Sequence, residues 1–125
     1  MGTLEEARQY LAKAREFLEA AQINLDLDLF NAATSNAITS GINAKDAICL
    51  KVTGRSFKSD NHNAAVDELS RSGRDGKSLA PTFRRLLALK QKAQYQEVSV
   101  VATDAQRAVK WAELIYDKAQ NVISG

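Results

Sequence analysis

The sequence predicts an all-α fold, an antiparallel up-down helical bundle of four long helices plus one short helix. Three observations carry that expectation. Apolar residues recur at spacings of three and four through most of the chain. Six Gly and one Pro leave little material for the turns of an all-β protein. The stretch Asn31 to Val52, NAATSNAITSGINAKDAICLKV, carries only three charges, Lys45, Asp46 and Lys51. A helix apolar nearly all round belongs inside a bundle. At 125 residues, a single domain over 1–125 is expected.

The first helix opens with Thr3 and Glu6, a capping-box pattern. Leu4, Ala7, Leu11, Ala14, Leu18, Ala21 and Leu25 then form one stripe. Tyr10, Phe17 and Ile23 widen it, and a stripe this wide points to a homodimer or to a larger intrachain core. Asp26 to Phe30 is the link, where Asp28 or Asn31 can cap the central helix. In that helix Ala33, Ala37 and Gly41 fall one above another and allow a neighbouring backbone to come close. Gly54 is its terminator.

The connection RSFKSDN over 55–61 is polar, and Asp60 or Asn61 can cap a short helix carrying His62, Ala65, Val66 and Leu69. Gly73 to Gly76 reads as a turn. Ser78 would start a fourth helix, with Pro81 in its first turn, where a missing N–H does no harm. Leu79, Phe83, Leu86, Leu87 and Leu89 form its inner face, and it should run to Ala93 or Tyr95. Gln96 to Ala102 alternates valines with polar residues and reads as an extended loop that packs Val98 and Val100. Thr103 and Gln106 would cap the last helix, whose stripe runs from Ala105 to Ile123 with Trp111 and Tyr116 at its flanks.

Charge is unevenly spread. Met1 to Phe30 holds six acidic and three basic residues. Between Arg71 and Lys92, seven cations face Asp75 alone, a local balance of 7 − 1 = +6. Such a segment attracts phosphate or an acidic protein surface when its charges are free, and is an ordinary solvated face otherwise. A lone Cys49 in the central helix excludes an internal disulfide and suits a reducing compartment. With no membrane-length apolar run and no signal pattern, the chain is expected to be cytoplasmic.

Much chemistry is excluded. No Gly-rich phosphate loop is present, and one His with one Cys cannot build a tetrahedral zinc site. No metal or other cofactor is expected. His62 is the single imidazole, and Arg55 precedes it with six residues between. As proton shuttle and phosphate holder the two could assist RNA cleavage, or be a first-turn helix residue and a solvated loop charge. Arg84, Arg85, Lys90, Lys92 and Tyr95 form the second candidate group, able to hold nucleic acid by charge and stacking. There Tyr95 could equally be packed, with the lysines meeting a helix C-terminus.

The progression FNAATSNAITSGINAKDAICLKVTG, a His near the start of a short helix, LLALKQKAQY and VSVVATDAQRAVKWAE resembles the HEPN domain (higher eukaryotes and prokaryotes nucleotide-binding) over about Leu4 to Val122. The resemblance implies an all-α bundle that usually dimerises. It further implies a metal-independent ribonuclease or an RNA-binding protein, often a toxin–antitoxin component with a partner from a neighbouring gene. Catalytic members pair an arginine with a nearby histidine. Here Lys90 stands where that arginine is expected, and Gln94 or Tyr95 where the histidine is expected. Lysine lacks the guanidinium fork and glutamine cannot shuttle protons. The expected function is therefore RNA or nucleotide binding without catalysis. The alternatives are a ribonuclease using Arg55 and His62, and a protein-interaction module.

Overall fold

The computed structural model describes residues 3–57, 61–94 and 97–125. The chain forms α1 (Thr3–Asp26), α2 (Phe30–Thr53), α3 (His62–Ser70), α4 (Gly73–Ala88), α5 (Lys90–Gln94) and α6 (Ala102–Ser124), with no strand among the described residues. The four long helices are α1, α2, α4 and α6. Helix α2 touches every other helix and is the centre of the bundle.

Small side chains set the spacing around α2. Ala33, Ala37, Gly41 and Ala44 are all buried. Ala7, Ala14 and Ala21 on α1 are fully buried as well. With so little bulk between them, Ser40 of α2 donates to the Ala14 carbonyl of α1 at 2.7 Å. Ile38, Ile48, Phe83, Leu86 and Ile115 fill the core between α2, α4 and α6. Full burial of side chains this size contributes about 1.5–3 kcal/mol each. Tyr10 packs on a smaller cluster of Ala7, Ala47, Leu50 and Ile123, so the widened α1 stripe is partly used within the chain. Ile23, by contrast, is 60% exposed.

Several local expectations are corrected. Gly73 to Gly76 is no turn: α4 begins at Gly73 and not at Ser78. Pro81 therefore sits inside α4, beyond its first turn, and withholds an N–H from the Lys77 carbonyl. Both residues are exposed, which leaves that carbonyl open to water. The fourth helix is divided at Leu89, whose N–H bonds the Leu86 carbonyl in a tight turn before α5 starts. Asn31 is helical, not a cap, and its side chain instead accepts from the Val100 N–H at 2.8 Å. The last helix begins at Ala102 with Val101 at its cap, and no side chain caps it. In the loop before it Val100 is buried, whereas Val98 is 69% exposed. The cap at Asn61 is as expected, its side chain accepting from Ala64 N–H, and Gly54 closes α2 at φ 82.

The central helix also buries charge. Lys45 and Asp46 are 2% and 1% exposed. The Lys45 ammonium donates to Asp46 Oδ1 at 3.2 Å, Ser56 Oγ at 3.1 Å and the Phe57 carbonyl at 3.4 Å, and also bonds the Glu68 carboxylate closely. Ser56 Oγ donates to Asp46 Oδ1 at 2.5 Å, and the Phe57 N–H donates to Glu68 at 2.9 Å. The network joins α2, the 54–57 connection and α3. Burial by itself would push the Lys45 pKa down, but the Glu68 bond and the Asp46 and Glu68 charges prevail and hold it above the ordinary lysine value. Nearby, Ser72 donates to Cys49 Sγ at 3.1 Å, tying the α3–α4 corner to α2. Burial raises the thiol's pKa despite that bond, so Cys49 stays protonated.

Two expectations follow for stability. A methyl group at Gly76 would overlap the Leu69 backbone carbonyl, whereas one at Gly41 meets the movable end of Leu86. Gly76→Ala should therefore lose about 1–3 kcal/mol in urea denaturation, and Gly41→Ala less. Lys45→Met strands two carboxylates and should lose about 3–5 kcal/mol. Because the Lys45 pKa is raised by folding, its contribution is complete below the ordinary lysine pKa and disappears as pH rises through the folded value. The stability gap between wild type and Lys45→Met should accordingly narrow in strongly alkaline solution.

Candidate nucleic-acid interface

Helix α4 is divided lengthwise by its sequence. Leu79, Phe83, Leu86 and Leu87 are buried, and Arg74, Lys77, Arg84 and Arg85 are exposed. Positions 74, 77, 81, 84 and 88 follow helical spacing, so the cations form one stripe interrupted by Pro81. From Arg74 to Arg85 it is about 16 Å long, at 1.5 Å per residue.

Free cations are what an anion needs, and most of these are free. Among the described residues, Arg71, Arg74, Lys77, Arg84, Arg85 and Lys90 have no carboxylate within salt-bridge distance. Asp75 is directed to Lys118 of α6 at 3.7 Å. Arg84 donates to the neutral Asn63 side chain at 2.8 Å, which orients its guanidinium without cancelling its charge. Lys92 differs: it meets Asp104 of α6 at 2.9 Å and fastens α5. Its place among the phosphate-binding candidates is thereby weakened, since Asp104 offsets its charge. Lys90 is half-buried on α5, and Tyr95 lies outside the described residues.

The groove that Arg55 lines does not include His62. Arg55 is exposed on the connection after α2, with its guanidinium 5.7 Å from the Phe57 ring centre. It lines a groove of about 560 Å³ between that connection and α3. Ala64 and Ala65 form the groove's α3 side, with Asp67 and Arg71 along it. His62 is the half-buried first residue of α3 and is absent from the wall. The neighbouring Asn63 accepts from Arg84, which ties the start of α3 to the α4 stripe.

Phe57 and Asp67 were not singled out from the sequence, whereas Arg71 opens its basic run. The one available signal was an aromatic residue isolated in a polar connection. Phe57 is 63% exposed, although its N–H and its carbonyl are both fixed by the buried network. No group of three or more His, Cys, Asp and Glu side chains is placed to hold a metal among the described residues. No helix there is long and apolar enough to cross a membrane.

Comparison with known proteins supports this architecture. No curated protein matches the chain in sequence. The crystal structure of TT1696 from Thermus thermophilus superposes with a TM-score of 0.75 at 20% identity, covering 93% of this chain and 97% of that one. At that identity the likeness concerns the fold alone. The sequence model of the HEPN domain matches residues 7–122. With helices, core and match extending over nearly the whole length, the chain belongs to the HEPN domain family.

Proposed function

We propose that this HEPN domain binds RNA or nucleotide phosphates on the exposed face of α4 and does not cleave them. The observation that carries this reading is the set of cations on and beside α4 that meet no carboxylate among the described residues. Arg84 and Arg85 are its centre, and Arg74, Lys77 and Lys90 extend it. Guanidinium groups suit phosphate because their fork matches paired oxygens. Cleavage would need a base and a charge stabiliser on the same phosphate. The groove that holds Arg55 does not include the single histidine, which argues against that pair.

Binding through such a stripe releases counterions, so affinity for single-stranded RNA should fall steeply with salt. Arg84→Ala/Arg85→Ala should flatten the log–log salt dependence by about 1.4, from roughly 0.7 per lost phosphate contact. Fluorescence anisotropy across a salt series measures both. Binding that is absent at low salt, or indifferent to salt, contradicts the reading. Labelled RNA incubated with the protein should keep its length on a denaturing gel. Cleavage that disappears in His62→Ala would overturn the non-catalytic part and leave the binding part in place.

A further inference from the structure

We infer that the groove between the 53–57 connection and α3 takes one unpaired base of a single-stranded nucleic acid, stacked on Phe57, with the adjoining phosphates on Arg55 and Arg71. The inference rests on the α4 reading and makes it more specific: the ligand is a single strand.

A single large apolar side chain in water, such as that of Phe57, is unremarkable by itself. Here the backbone is fixed from both sides, the N–H on Glu68 and the carbonyl under the Lys45 ammonium. The charge network thus holds the backbone beneath a ring that is 63% exposed, so the backbone loses little further freedom when a ligand stacks on that ring. The Arg55 guanidinium lies 5.7 Å from the ring centre, close enough to cover one part of it or to swing onto a phosphate.

The opposite wall suits a flat ligand. Ala64 and Ala65 contribute little bulk, and the space of about 560 Å³ falls within the usual range for small-molecule sites. Glu68 is engaged by Lys45 and the Phe57 N–H, so its charge is met inside the protein. Asp67 accepts hydrogen bonds only, a match for the amino edge of a base. Among the described residues Arg55 and Arg71 are the cations on the groove's wall, and neither has a carboxylate partner there. An apolar peptide would leave both unused.

The groove's edge lies near the stripe in sequence. Arg71 is at the end of α3, and Arg74 begins the exposed cations of α4 three residues later. Three residues span at most about 11 Å, so a strand bound at Arg71 has the next cation within about two nucleotides' reach. A duplex cannot place a paired base against Phe57 without unstacking it, so the site discriminates by strandedness and not by sequence.

Anisotropy titrations at one low salt concentration test this, using a short single-stranded RNA, a duplex of the same sequence and free ATP. Phe57→Ala should weaken the single strand by roughly 5- to 100-fold and leave the duplex within about 2-fold. Phe57→Trp should restore single-strand binding. The ring is exposed, so the urea midpoint of Phe57→Ala should match wild type. No loss with Phe57→Ala, or equal losses for single strand and duplex, overturns the groove assignment while the α4 reading stands. Phe57-dependent binding that survives Arg84→Ala/Arg85→Ala unchanged supports the groove and overturns the α4 reading. ATP bound in a Phe57-dependent way, with no RNA bound, overturns the single-strand assignment. Failure of wild type to bind any of the three overturns both.

Discussion

A buried ammonium group is the constraint on which the rest of this molecule depends. Lys45 lies in the middle of the central helix, almost fully removed from water. Stripping water from a charge is costly, and only close opposite charge with complete hydrogen bonding offsets it. Asp46 alone does not suffice. The remaining partners come from the next parts of the chain: Ser56, the Phe57 carbonyl and Glu68. The chain must therefore fold the 54–57 connection and α3 back onto α2, and the network dictates where they go.

Packing and charge are assigned to different helices. Helices α1, α2 and α6 lie close together because alanine, glycine and serine line their contacts. Helix α4 completes the core with larger side chains on one face, which leaves its other face to arginine and lysine. Local ion pairs draw off some of this charge. Asp104 holds Lys92, and Asp75 reaches Lys118 away from the stripe. What remains along α4 and at its corner with α3 is uncompensated among the described residues, on a helix held firmly by its own core side.

Much of the architecture was legible because periodicity is a local property. The stripes of α1 and α6, the uncharged character of α2, its Gly54 terminator and the Asn61 cap could all be read from neighbouring residues. Pro81 and the pair Gly73 and Gly76 misled the placement of α4, because their weak helical preference is a local signal and the close packing of Gly76 on the Leu69 backbone of α3 is not. Leu89 divides the following helix without any breaker residue to mark it. The candidate site was half legible. Runs of arginine and lysine stand out in sequence, but Lys92's partner lies on another helix. The buried network was invisible for the same reason, since Glu68 lies 23 residues from Lys45. Phe57 acquires its interest only through what fixes its backbone.

Buried charge positions an exposed connection. The Phe57 amide reports on it most directly, because that N–H lies outside any helix and, among the described residues, bonds the Glu68 carboxylate alone. Native-state hydrogen exchange followed residue by residue would measure its opening. The account predicts that the Phe57 N–H exchanges slowly, in step with the core of α2 and α3. Exchange at the rate of an unstructured peptide, while α2 remains protected, would contradict it.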